Sequence, residues 1–306
     1  MAEQKIDAQS WILLGLLSMI WGGSFFFIAV AVKELPAILV VFARVGIAAS
    51  LLLPIHFFVQ GGLPRDLRTW ISCGGMAILN NALPFTAISY GETVISSGLA
   101  SVVNATSPMF AALFMALFQV EGLTTRKVLA LVLGLLGVVI LSLQSLAGEA
   151  ALLGIMACTF GSVCYGLSAP WSKKRLIGIP PLTTATCQLC VSTLVMAIAA
   201  FTLSTPSHYL QVSLHAWAAL LGLAAISTSL AYLLFFRILN TAGPSFTILV
   251  TMLVPISAII LGVVFLGEVL TINEVIGALI IGLALIIIDG RLIQRFTPKT
   301  AQDRCA

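Results

Sequence analysis

Residues 107–124 read SPMFAALFMALFQVEGLT, and residues 254–271 read VPISAIILGVVFLGEVLT. Each copy has a proline at its second position, runs apolar, and closes on Glu-x-Leu-Thr. Pro108 and Pro255, like Glu121 and Glu268, stand at one offset of 147 residues. A long internal repeat in an apolar chain points to two copies of a membrane unit facing each other across a shared cavity.

The rest of the chain agrees with a lipid environment. Of its 306 residues, 60% are apolar and 8% charged, and mean hydropathy is +1.12. A soluble domain carries roughly 25% charged residues, so lipid must replace water over most of this surface. A spanning helix needs about 20 mostly apolar residues. Ten stretches qualify: 11–32, 36–59, 69–90, 93–118, 125–146, 150–172, 181–203, 214–238, 243–266 and 273–290. The links are too short for a soluble domain. The first stretch is expected to be a retained helix. It is long for a signal peptide, follows a nearly neutral start, and lacks a clear small-residue cleavage site.

Charge sets the expected orientation. With the N-terminus in the cytoplasm, the inner segments hold Lys5, Arg65, Arg68, Arg126, Lys127, Lys173, Lys174, Arg175, Arg237, Arg291, Arg295, Lys299 and Arg304. The outer loops hold Lys33, and Arg44 lies within a helix. Basic residues in short loops favour the cytoplasm. The net charge of +4 therefore reads as topology, and no nucleic-acid partner is expected. Five helices per half is an odd number, so the second copy enters from the opposite side. The predicted fold is an all-α membrane protein of ten transmembrane helices. It divides into a five-helix repeat over 1–147 and an inverted five-helix repeat over 148–306 that ends in a short cytoplasmic tail. Both termini are expected inside, in a bacterial inner membrane.

These features together resemble a known family. The ten helices, Trp21-Gly22-Gly23-Ser24 in the first, Phe42-Ala43-Arg44 in the second and the twin Pro…Glu-x-Leu-Thr segments resemble the EamA branch of the drug/metabolite transporter superfamily. Among its members the chain resembles the bacterial amino-acid exporters of the YddG type. The resemblance covers nearly the whole chain. It implies a carrier whose helices 1, 3, 4, 6, 8 and 9 surround a cavity, with helices 5 and 10 bracing the outside. It also implies export of amino acids or other small metabolites.

Polar residues at bilayer depth line cavities or join helices. On the fourth helix Ser97, Ser101, Asn104 and Pro108 share one face. The ninth echoes it with Thr247, Thr251, Pro255 and Ser257. Ser, Thr and Gly also permit close helix packing, whereas the amide of Asn104 needs several partners and favours the cavity. Asn80, Asn81 and Pro84 mark a mid-membrane point where the third helix can bend, and Ser227 and Thr228 fill the matching place. Arg44 either binds a substrate carboxylate or braces a neighbour; the outer place that the resemblance gives helix 2 favours bracing. Among the aromatics, Trp21, Tyr90, Tyr165 and Tyr232 are candidates for substrate contact, whereas Trp11, Trp70 and Trp217 read as interfacial anchors.

The substrate-binding set is thus Trp21, Asn80, Asn81, Tyr90, Ser101, Asn104, Tyr165, Ser227, Thr228, Tyr232 and Thr251. Arg44, Pro84, Pro108 and Pro255 form a structural or gating set. Aromatic walls with neutral hydrogen bonders suit neutral or zwitterionic solutes with apolar side chains. No Asp or Glu falls near a helix centre, since Glu34, Glu92, Glu149, Glu268 and Glu274 sit at outer ends and Glu121 and Asp289 at inner ends. Proton-coupled carriers often use a buried carboxylate, so the expected mode is facilitated diffusion or exchange by alternating access. The alternatives are proton-coupled efflux and a non-transporting sensor. An intramembrane enzyme needs a nucleophile with a base, or metal ligands, and none is expected. Cys187-x-x-Cys190 reads as apolar packing, and His56, His208 and His215 lie toward helix ends or in a loop. No cofactor or metal is expected. The partners are the lipid bilayer and a small-molecule substrate, and the protein is expected to be a monomer or a weak homodimer.

Overall fold

The computed structural model describes residues 8–143, 149–247 and 249–289, and among them the secondary structure is helical. Nine helices among the described residues are long and apolar enough to cross a membrane. They are α1 (Ala8–Ala31), α2 (Ala37–Gln60), α3 (Leu67–Gly91), α4 (Ser97–Leu117), α5 (Thr125–Ser142), α6 (Glu149–Arg175), α7 (Pro181–Leu203), α8 (Leu214–Leu239) and, last in the chain, α10 (Ile272–Asp289). Between the last two lies α9 (Val250–Leu266), an apolar helix of 17 residues. It is shorter than the expected 243–266 because a separate turn, Pro244–Thr247, precedes it. The 147/148 boundary, Lys5, the basic tail from Arg291 and Cys305 fall outside the described residues.

Caps account for the helix starts. Asp66, Ser96, Thr124 and Ser213 each accept a backbone N–H three residues on, opening α3, α4, α5 and α8. The expected stretch 93–118 therefore loses its first turn: Ser96 fixes the start of α4 and leaves Glu92–Ile95 as a link. Thr271 opens α10 with a capping box, in which Glu274 Oε2 accepts from Thr271 N at 2.8 Å and Thr271 Oγ1 accepts from Glu274 N at 3.3 Å. The threonine that closes each copy of the repeat is thus the cap of the following helix.

Prolines explain two local departures from α-helix. Pro84 has no N–H to donate to the carbonyl of Asn80, and Ala77–Ala82 is wound as π-helix, with Leu83 N bonding Ile78 O. A second π segment, Gly222–Leu230, lies in α8. There the Thr228 and Ser229 hydroxyls donate to Leu223 O and Ala224 O at 2.8 and 3.1 Å. In α4 the helix breaks between Asn104 and Ser107. Pro108 cannot serve the Asn104 carbonyl, and Ser107 Oγ donates to it instead at 2.6 Å. In contrast, α9 runs unbroken through Pro255.

Helices of the first half pack on helices of the second. α1 lies on α9, α2 on α7, α6 on α3 and α4, α8 on α1 and α2, and α5 along α10. Gly22 permits the first contact, because a Cβ there would collide with Ser257 and Ala258. Gly137 and Gly277 permit the last, each lying against the other's carbonyl. Leu194, Ile198 and Phe201 form an exposed apolar stripe along α7. Such a face suits contact with lipid rather than water.

Candidate functional site

A cavity of about 630 Å³ lies between the two halves, within the range of roughly 300–1,000 Å³ usual for small-molecule sites. Its walls come from α1, α3, α4, α6, α8 and α9, with Arg44 from α2 and Pro181, Thr184 and Gln188 from α7; α5 and α10 contribute nothing among the described residues. Among the described residues, none that lines it is Asp or Glu. The cavity extends to Leu176 and Ile179 in the α6–α7 link and to Leu239 at the end of α8. Toward the opposite end it stops at Ile28, Ile88 and Ser101.

Helix α1 lends its backbone to both walls. Ser227 Oγ donates to Ile20 O, and Ser257 Oγ to Ser18 O, each at 2.9 Å. These bonds hold α8 and α9 on either side of Trp21, whose ring lies 5.6 Å from that of Phe235. The π segment of α3 turns Asn80 toward the cavity and Asn81 away from it. Tyr232 Oη gathers both: it accepts from Asn80 Nδ2 at 3.4 Å and from Gln188 Nε2 at 2.8 Å, and donates to Asn81 Oδ1 at 3.1 Å. Asn81 Nδ2 then donates to Ser192 Oγ at 3.1 Å. The network ties α3, α7 and α8 to one another at mid-depth, with Gln188 Oε1 left without a partner among the described residues.

Arg44 is the charged side chain in the wall. It is 6% exposed, its Nε donates to Thr228 Oγ1 at 3.0 Å, and its guanidinium sits 3.6 Å from the centre of the Phe85 ring. Among the described residues, ion pairs join Glu121 to Lys127 and Lys173, and no carboxylate lies within that reach of Arg44.

Of the expected substrate contacts, Trp21, Asn80, Ser101, Asn104, Tyr165, Ser227, Thr228, Tyr232 and Thr251 line the cavity. Asn81 lies behind the wall, fully buried, and Tyr90 is 48% exposed on the last turn of α3, away from it. Arg44, expected to brace, both braces Thr228 and lines the cavity. Pro84 is buried, whereas Pro108 and Pro255 are half-buried, and none of the three lines it. The sequence reading missed Gln188, Phe85 and Ser24 in the wall. Gln188 carried a legible signal, a lone amide midway along an apolar stretch; Phe85 and Ser24 did not stand out from their neighbours.

The end at which the cavity stops is tied by carboxylates. Glu268, just past α9, accepts from Ser97 N and Gly98 N at 2.7 and 3.1 Å, capping the N-terminus of α4. Glu34 accepts from Ser213 N and Ser213 Oγ at 2.7 and 2.6 Å, at the start of α8. These bonds hold the Glu34 carboxyl below its ordinary value, the Ser213 hydroxyl having the larger effect. Glu121, the repeat's match to Glu268, points instead to Lys127 and Lys173 at the open end.

Known proteins share this plan. The profile of the EamA-like transporter family matches residues 9–143 and 152–289. An uncharacterized transporter of Archaeoglobus fulgidus is 26% identical over 280 residues, covering 92% of this chain and 98% of that protein. The uncharacterized transporter YvbV of Bacillus subtilis is 25% identical over 284 residues, covering 91% of each. The uncharacterized inner membrane transporter YedA of Escherichia coli is 26% identical over 264 residues, covering 83% of this chain and 82% of its own. A chain from a solved crystal structure superposes with a TM-score of 0.66 at 16% identity, over 95% of this chain and 100% of that one, a likeness of fold alone. A multi-pass helical bundle around a solute-sized cavity, matched by one profile over nearly all its length, places this chain in the EamA-like transporter family as a membrane transporter.

Proposed function

We propose that the protein carries small metabolites bearing a carboxylate, neutral and aromatic amino acids foremost, out of the cytoplasm by alternating access. The observation that carries this reading is Arg44, a buried cation in the cavity wall with no carboxylate within 4 Å among the described residues. An uncompensated buried charge is costly. A guanidinium with one bond to Thr228 keeps donors free for a bidentate carboxylate. The aromatic rings of Trp21, Tyr165 and Phe235 suit an apolar side chain, and the amides of Asn80 and Asn104 suit an ammonium or hydroxyl group.

The two-repeat arrangement supports the rocking part of the proposal. Exchanging each helix for the one five places on carries the α1–α9 contact onto α6–α4, and returns α2–α7 and α5–α10 to themselves. The two π segments also correspond at the offset of 147. Basic residues at the α2–α3, α4–α5 and α6–α7 links favour the cytoplasm for the open end. The chain then rests with its cavity facing inward, in a bacterial inner membrane.

Counterflow in proteoliposomes loaded with phenylalanine tests the reading. Solutes that keep the carboxylate, such as phenylpropionate, are expected to compete, and phenethylamine, which lacks it, is expected not to. Arg44→Gln is expected to remove the distinction. Equal competition by phenethylamine overturns the assignment of Arg44.

A further inference from the structure

The closed end holds a group that the cavity does not use. Glu92 sits in the link between α3 and α4, where sequence alone reads it as an ordinary helix-end carboxylate. Its side chain is instead 6% exposed, and neither carboxylate oxygen has a hydrogen-bond partner among the described residues. Glu92 belongs to the wall of a second cavity of about 290 Å³, separate from the first and lined also by Ala29, Val32, Lys33, Leu266 and Glu268. A buried, unpartnered carboxylate beside a second carboxylate is unstable when ionised, and a proton is the smallest ligand that relieves it.

The neighbours of Glu92 can be named on each side. Glu268 faces it from beyond α9, Lys33 from the α1–α2 link, Arg44 from α2 and Cys158 from α6. Glu268 is held in place by the two N–H groups it accepts from at the N-terminus of α4, which keeps its carboxylate beside Glu92. Among the described residues no third His, Cys, Asp or Glu joins them in a metal-binding group.

We propose that Glu92, beside Glu268 at the closed end of the bundle, is a proton-binding site, and that a proton bound there holds this end shut. Burial and then the Glu268 charge push the Glu92 carboxyl well above the ordinary carboxylate value, with Arg44 opposing. The Ala29 backbone also opposes. Opening the end admits water, separates Glu268 from Glu92 and returns the carboxyl toward its usual value. The closed form thus takes up the proton and the open form releases it. By linkage, acid favours closure, by up to about tenfold in population for each unit by which closure raises the carboxyl. The device rests on the alternating-access reading but needs no identified solute.

Thiol labelling from the closed side tests it. Ser97→Cys, a near-isosteric change at a fully buried position, reports opening when treated with a membrane-impermeant maleimide in intact cells, counted against the parent chain. The labelling rate is expected to fall roughly tenfold or more from about pH 8 to about pH 5.5. Adding Glu92→Gln, a mimic of the protonated side chain, is expected to give slow labelling at every pH. Adding Glu268→Gln, which removes the neighbouring charge and keeps one acceptor for α4, is expected to move the midpoint to lower pH. A rate independent of pH in the Ser97→Cys chain overturns the proposal, and so does a pH response that survives Glu92→Gln. A response that follows these expectations while no solute competes in counterflow keeps the proton site and sinks the carboxylate-carrier reading.

Discussion

At the scale of single residues, the proposal of a carboxylate solute rests on Arg44. Lysine keeps the charge but has neither the planar fork nor the reach to serve Thr228 and a carboxylate together. Arg44→Lys is expected to weaken binding of a carboxylate solute by about tenfold, near 1.4 kcal/mol, as read from half-saturation in counterflow. Asn104→Ala is a cleaner probe of contact without charge. Ser107 Oγ bonds the Asn104 backbone carbonyl at 2.6 Å and its Oδ1 at 3.4 Å; the variant keeps the shorter bond, which compensates for Pro108, and is expected to fold normally and transport poorly. Wild-type transport by Asn104→Ala moves the site away from α4. The polar census of the sequence found many of the wall's polar groups, because an amide or a hydroxyl deep in an apolar helix needs a partner wherever it lies, but it passed over Ser24, Ser168, Ser172, Thr184 and Gln188. It could not tell Asn80 from Asn81, since that depends on the extra residue wound into the π turn before Pro84.

At the scale of elements, the repeat was legible because Pro, Glu and Thr have backbone consequences. Pro108 breaks α4, Glu268 caps a distant helix, and Thr124 and Thr271 cap the next ones. The break before α9 was less legible: it falls ahead of Val250, several residues before Pro255, whereas α4 breaks directly ahead of Pro108. The glycines of α5 and α10 serve different contacts. Gly137 and Gly277 meet within this chain, Gly134 packs on Met109, and Gly282 has nothing within 4 Å. Substitution separates these roles. Gly277→Ala places a Cβ against the Gly137 carbonyl and Leu141 and is expected to cost on the order of 1–3 kcal/mol as overpacking. Gly282→Ala meets nothing and is expected to stabilise α10 by up to about 1 kcal/mol through helix propensity. Thermal unfolding in detergent reads both, and equal shifts argue against the α5–α10 seam.

At the scale of the whole molecule, the two ends of the bundle are unequal in this state, and carboxylates account for the difference. Glu34 and Glu268 each hold the N-terminus of a helix at the closed end, while Glu121 is spent on lysines at the open one. Exposed ion pairs such as those of Glu121 contribute about 0–1 kcal/mol, so they oppose closure of their end only weakly. Glu34→Ala and Glu268→Ala are therefore expected to raise labelling of Ser97→Cys at every pH, and Glu121→Ala to leave it nearly unchanged. The sign of the pH effect assigns its source. The Glu34 carboxyl lies below its ordinary value of 4.5. Its contacts are thus fully present above that value and are lost only as pH falls through the lowered one, so acid acting through Glu34 opens the end. Glu92, held above the ordinary value, acts oppositely: protonation is complete at low pH, and closure is lost as pH rises through the raised value. Labelling that increases on acidification below about pH 5 is the signature of Glu34, and labelling that decreases between about pH 8 and pH 5.5 is that of Glu92. Glu34→Gln is expected to abolish the first and leave the second.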